Sequence, residues 1–317
     1  MSHFLYSLIG LSAGVCFILA LKGLSTPKTA RRGNIIGAVG ATIATVVVFF
    51  YAQEGESLPL NNLGWILGAI AVGVVIGVPA ARKVQMTQMP QLVALFNGVG
   101  GGAAALVAIV EYLHLGDKAN TAEVIATVFT VIVGCVSFSG SIITFLKLQE
   151  LMTTRPVVFP GGRFVIAATL AATLGVAVWV VIALGTNPLL ILAALSLLFG
   201  VLFVLPVGGA DVPIVISLLN AFTGLTVAAS GYVLDSTLLI IAGTLVGASG
   251  TILTRLMAEA MGRSLFGTLF GAFTAKPQDA AAAGEERPVR SGSPDDVAIL
   301  LNYARRVVIV PGFGLAV

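Results

Sequence analysis

Charge is what this sequence has least of. Of its 317 residues only 10% are Asp, Glu, Lys or Arg, against 57% hydrophobic, and the mean hydropathy is +1.04. A soluble globular chain carries about 25% charged residues, so that class is excluded, as are disordered and collagen-like chains. Cysteine occurs twice and histidine twice. Two cysteines exclude a disulfide-dense scaffold. Cys16 and Cys135 both lie in apolar runs, where a free thiol behaves as a small hydrophobe, and nothing points to a disulfide or a metal site. The composition is that of an integral membrane protein. At about 20 residues per spanning helix, the apolar residues make roughly nine helices. What remains is too little for a soluble enzyme domain of ordinary size.

Apolar stretches of spanning length run over 4–22, 34–52, 63–81, 90–114, 122–146, 164–185, 188–206, 212–234 and 237–261. They predict an all-α polytopic protein of about nine transmembrane helices. An odd number of spans puts the termini on opposite sides. Lys22, Lys28, Arg31 and Arg32 follow the first span, and Arg82 and Lys83 the third. Lys147, Arg155 and Arg163 surround the loop after the fifth, and Arg255, Arg263 and the tail cations follow the ninth. Of the 17 Lys and Arg, only Lys118 falls on the other side. The positive-inside rule then predicts an outside N-terminus and a cytoplasmic C-terminus. The first span carries its cations after the apolar run rather than before it, so it reads as a retained helix and not as a signal peptide.

Inside the spans, titratable groups are missing. No Asp, Glu, Lys, Arg or His lies near the centre of any of them, so a proton relay at mid-depth needs water or a partner's residue. Uncharged polar residues cluster by depth instead. Asn97 in span 4, Ser139 and Ser141 in span 5, Asn220 in span 8, and Ser249 with Thr251 in span 9 all fall roughly 10–18 Å from the inner face at about 1.5 Å per residue. Four helices with hydrogen-bonding groups in one layer suggest a hydrated cavity. The alternative is packing glue, at about 0.6 kcal/mol per bond. A buried carboxamide is the costlier group to satisfy, which favours the cavity most at Asn97 and Asn220.

Glycine occurs 37 times. The pairs Gly10/Gly14, Gly73/Gly77, Gly98/Gly102 and Gly243/Gly247 have the spacing that lets helices approach closely, and packing is their default reading. The run from Gly98 to Gly102 beside Asn97 is expected to loosen or kink its helix. It mimics a dinucleotide fingerprint, but no strand precedes it, and the match is rejected.

Beyond Arg263 the apolar character fades. The sequence divides into a transmembrane domain over 1–265, a linker over 266–292, and a C-terminal piece over 293–317. Ser293-Pro294-Asp295-Asp296 has a cap residue, a proline at the first helical position and early acids. It predicts a short amphipathic helix with Val297, Leu300, Leu301 and Ala304 on its apolar face. Arg306 to Val310 then reads as a strand running into Gly312-Phe313-Gly314-Leu315-Ala316-Val317, the opening of a nucleotide-binding βαβ unit. The helix that would hold the phosphates is not in this sequence. The expectation is the first strand of a truncated Rossmann-like domain.

The order of parts resembles the β subunit of the proton-translocating NAD(P) transhydrogenases. The resemblance is carried by Met89-Pro-Gln-Leu-Val-Ala-Leu-Phe-Asn97-Gly98, by Gly209-Ala-Asp211-Val-Pro-Ile-Val-Ile-Ser-Leu-Leu-Asn220, by Gly247-Ala-Ser-Gly250, and by Val310 to Val317. It implies a complex that transfers a hydride between NAD(H) and NADP(H) while moving a proton across the membrane. NADP(H) would bind the soluble domain that follows the spans, with Gly312, Gly314 and Val317 in its site. NAD(H) would bind a partner α subunit that also brings further membrane helices. Asn97, Asn220, Ser139, Ser141 and Ser249 would line the proton path, and Asp211 and Arg263 would face the nucleotide domain at the inner surface. Many relatives carry histidine where Asn97 stands, and others place it in a helix of the α subunit. The lack of a mid-membrane titratable residue fits the second arrangement. The implied setting is a bacterial cytoplasmic (inner) membrane, with the complex a homodimer in the lipid bilayer and no nucleic acid involved. No catalytic residue is assigned, and the chain alone is not expected to catalyse. An independent proton- or ion-coupled secondary transporter is the alternative, although no internal repeat is evident. A passive anchor would not need nine spans.

Overall fold

The structure is a computed structural model that describes residues 3–50, 62–116, 119–262, 264, 267 and 293–309. It divides into two compact units, Met1–Thr274 and Ala275–Val317.

In the first unit the described residues form nine helices long and apolar enough to cross a membrane. They are α1 (His3–Leu24), α2 (Pro27–Val47), α3 (Leu63–Lys83), α4 (Met89–Leu115), α5 (Thr121–Leu148), α6 (Gly162–Ala183), α7 (Thr186–Val204), α8 (Val212–Val233) and α9 (Thr237–Ala260). α2 begins at Pro27 and not at residue 34, so Lys28, Arg31 and Arg32 are helical. Thr26 is extended and Pro27 sits in the first turn; local start chemistry carries the helix beyond its apolar stretch. α5 begins with a reciprocal cap. Asn120 Oδ1 accepts from Glu123 N, and Glu123 Oε2 accepts from Asn120 N, both at 2.9 Å. This satisfies two end groups that would otherwise be unpaired. α4 continues as one helix through the run from Gly98 to Gly102, and those glycines serve a contact with α5.

α5 is the hub, packed against α4, α6, α7 and α8. α1 also packs with α2, α8 with α9, α6 with α7, α4 with α8 and α1 with α9. At α8–α9 the backbones nearly touch. A Cβ on Gly224 would lie 2.5 Å from Gly247 N, and one on Gly250 3.0 Å from Ala221 Cα. A Cβ on Gly134 of α5 would meet Gly101 O of α4 at 2.7 Å. Spacing by four therefore marks real contacts at Gly98/Gly102 and Gly243/Gly247. It does not at Gly73/Gly77: all four glycines of α3 have nothing within 4 Å, and no residue of α3 is buried.

In the second unit Pro294–Tyr303 forms α10. Ser293 Oγ accepts from Asp296 N at 3.2 Å, while Asp296 Oδ2 accepts from Ser293 N at 2.9 Å and from Ser293 Oγ at 2.8 Å. The backbone hydrogen bond first, and the hydroxyl second, hold the Asp296 carboxyl below the usual aspartate range. The ionised form is the bonded one. The cap therefore contributes fully above the unfolded chain's aspartate pKa and fades as pH falls through the folded one. Replacing Ser293 with Ala is expected to raise the Asp296 midpoint towards that of an unstructured aspartate, read by carbon NMR of the carboxyl group. An unmoved midpoint would show that the hydroxyl does not hold the carboxylate. Val297, Leu300 and Leu301 are exposed. The expected strand is not present among the described residues, because 304–309 carry no strand; a lone extended segment has no second strand to pair with. Residues 310–317, with Gly312, Gly314 and Val317, lie outside the described residues.

Candidate functional site

The buried polar residues of the bundle gather where α4, α5 and α8 meet. Asn97 on α4 is 8% exposed. Its Nδ2 donates to Ser141 Oγ at 2.9 Å and to Ser137 Oγ at 3.3 Å, both on α5. Ser137 Oγ in turn lies 2.6 Å from Thr223 Oγ1 and 2.9 Å from Leu219 O on α8. Thr223 Oγ1 lies 3.1 Å from the same carbonyl. Small residues permit this convergence: Gly98 and Gly101 of α4 face Ser141 and Ser137, where any Cβ would sit at 3.0 Å from theirs.

Each hydroxyl has one proton to give, and the heavy atoms allow two arrangements. In one, Thr223 donates to Ser137 and Ser137 donates to the Leu219 carbonyl. In the other, Ser137 donates to Thr223 and Thr223 donates to that carbonyl. The bond between the two hydroxyls can thus run either way without moving a heavy atom, while Asn97 Nδ2 donates and the Leu219 carbonyl accepts in both arrangements. Asn97 Oδ1 is buried and has no hydrogen-bond partner among the described residues, although a buried acceptor left unpaired costs about 1–3 kcal/mol.

Of the residues read from the sequence, the structure brings together Asn97 and Ser141. Ser139 lies on the opposite side of α5; its Oγ donates to Cys135 O within its own helix, and it abuts Gly200 of α7. Ser249 is exposed and donates to Leu245 O in α9 at 2.7 Å. Asn220 follows Leu219 in α8 but points to the exposed side. The contact of Gly250 with Ala221 puts Asn220 and Ser249, their chain neighbours, at one level. Asp211 is half-buried at the start of α8, at the end of the short turn Gly209–Asp211. Arg263 lies outside the described residues.

Three participants were not legible as such. Ser137 lies one helical turn before Ser141, and that i, i+4 spacing was the available signal. Thr223 lies one turn after Leu219 for the same reason. Lys147 read as a loop cation, yet it is fully buried in the last turn of α5. Its position continues the buried face of Gly140, Ile143 and Thr144 at helical spacing.

The sequence model of the family described as NAD(P) transhydrogenase beta subunit matches residues 6–317. The chain is 40% identical over 326 aligned residues to the NAD(P) transhydrogenase subunit beta of Rhodospirillum rubrum, covering all of this chain and 69% of that protein. A same-named protein from a strain of that species matches with the same identity and coverage.

Proposed function

The chain belongs to the NAD(P) transhydrogenase beta subunit family, and from that premise we propose that it forms the transmembrane proton pathway of a complex coupling hydride transfer between NAD(H) and NADP(H) to proton translocation. One observation carries the reading: the buried cluster that links Asn97 through Ser137 to Thr223, in which the bond between the two hydroxyls can run either way. Packing glue needs no reversible bond and no unpaired acceptor. Such a bond can reorient when a neighbouring group gains or loses a proton, and it places no charge in the membrane.

The cluster contains no titratable group, and no span carries an Asp, Glu, Lys, Arg or His near its centre. The group that takes and releases the proton is then a histidine on a membrane helix of the partner α subunit, meeting the layer of Asn97, Asn220 and the serines. Asn220 and Ser249 support a partner at this level. A carboxamide facing hydrocarbon without a hydrogen bond costs about 2–7 kcal/mol, and a polar partner helix removes that cost. The basic ends of the helices face the cytoplasm, in keeping with the one-sided distribution of 17 Lys and Arg. There Asp211 and Arg263 face the nucleotide domain. NADP(H) binds that domain, beginning at Gly312, Gly314 and Val317, and NAD(H) binds the α subunit. The complex is a homodimer in a bacterial inner membrane.

In the full complex, replacing Asn220 with Leu is expected to lower proton uptake by vesicles at least about five-fold, roughly 1 kcal/mol of barrier. Hydride exchange between nucleotides on the soluble domains should stay unchanged. Unaltered pumping would remove Asn220 from the pathway.

A further inference from the structure

Lys147 is a costly way to finish a helix. It is 0% exposed, and its ammonium donates to three main-chain carbonyls: Leu205 O at 2.6 Å, Val207 O at 2.7 Å and Val204 O at 3.3 Å. Three donors meet three acceptors, all at the C-terminus of α7, where carbonyls lack helical partners and the dipole favours a cation. A buried charge is poor evidence for stability alone, since an apolar side chain of the same length avoids the desolvation. Its use is better sought in what it holds.

It holds a turn. Residues 205–211 connect α7 to α8 and are stitched on their other side to the connection after α5. Val157 N donates to Leu205 O at 3.0 Å, and Gly209 N donates to Thr154 O at 2.8 Å. Asp211 N donates to Gly208 O at 3.0 Å, and α8 starts at the next residue. Lys147 thus ties the end of α5 to the start of α8. These two helices carry the two halves of the hydroxyl chain, Ser137 and Ser141 on one, Leu219 and Thr223 on the other. Ser141 lies six residues before Lys147, about 9 Å along the helix, and Leu219 a comparable distance from the turn. A slide of the turn against α5 is a slide of Thr223 against Ser137.

We infer that Lys147 is a positioning residue for proton transfer. Its ammonium locks the 205–211 turn to α5 and so keeps the hydroxyls of α5 and α8 in hydrogen-bonding register. The inference rests on the proposed function and adds to it the part that carries a displacement at the basic end into the cluster.

The test uses the full complex in proteoliposomes, comparing wild type, Lys147→Met and Lys147→Arg. The expected result for Lys147→Met is a loss of proton pumping of at least about ten-fold, with hydride exchange between bound nucleotides within about two-fold of wild type. Lys147→Arg, which keeps donors and charge, restores most of the pumping. Pumping by Lys147→Met within about two-fold of wild type overturns the inference. So does a parallel fall of pumping and exchange in both variants, which marks a purely structural role. Should Lys147→Met fail to assemble, hydrogen exchange in the wild-type complex decides. The amides of Val157 and Gly209 are expected to be as protected as those of α8, and exchange about a hundred-fold faster overturns the lock. A wild-type complex that pumps no protons overturns the proposed function instead, and leaves the hydrogen-exchange result standing.

Discussion

Replacing Asn97 with Leu in the full complex is expected to abolish proton pumping, by about a hundred-fold or more, while the subunit still folds and assembles. Leucine has a similar volume, so the space between Gly98, Gly101 and α5 stays filled. What disappears is the donor to Ser141 and Ser137 and the acceptor Oδ1 that no described residue meets. Two interhelical hydrogen bonds in a membrane contribute about 0.6 kcal/mol each. Losing them is offset by removing a buried unpaired acceptor, worth about 1–3 kcal/mol. Stability is thus nearly unchanged, whereas the link from α4 to the hydroxyl chain is cut. Proton uptake by vesicles, measured with a pH-sensitive dye beside a retention profile of the complex, separates the two effects. Pumping within about two-fold of wild type, with normal assembly, would reduce the cluster to packing.

A second large effect is expected at Gly243. A Cβ there would sit 2.6 Å from Gly224 O and would overlap the backbone at Ala228. These are main-chain atoms that no rotamer change can move aside, so α8 and α9 must separate along their length. Gly243→Leu is expected to cost at least about 3 kcal/mol, the upper range for overpacking, and to leave little folded subunit on thermal unfolding in detergent. Gly73→Leu should leave the isolated subunit's stability within about 0.5 kcal/mol, because nothing within 4 Å of Gly73 opposes a side chain. The two positions have the same glycine spacing. Equal losses at both would mean that the α8–α9 contact is not the source of the constraint.

That contrast also marks the limit of reading this chain as a string. The helices of the first unit were legible because a membrane rewards a contiguous apolar run, and contiguity is a property of one dimension. Their ends shifted where capping chemistry outweighed hydropathy, as at Thr26-Pro27, which started α2 ahead of its apolar stretch. The short helix after Ser293 was legible because its cap, proline and acids are neighbours in sequence. The polar layer was legible only as a depth. Depth placed Asn97, Ser139, Ser141, Asn220 and Ser249 together; rotation about each helix axis separated them. Ser139 is two residues from Ser141, which is about 200° around the helix, so it faces α7 and not α4.

By itself, then, the sequence determined the class of protein, the membrane-spanning helices, and the short helix begun by Ser293. Each follows from the energetics of a segment alone in its solvent. Tertiary structure decided which polar groups meet, that Gly243 and not Gly73 is a contact, and that Lys147 is an internal clamp and not a loop charge. Those outcomes depend on helix rotation and crossing distance. Both are set by contacts between residues of different helices, such as Gly243 with Gly224 and Gly134 with Gly101, which no single segment contains.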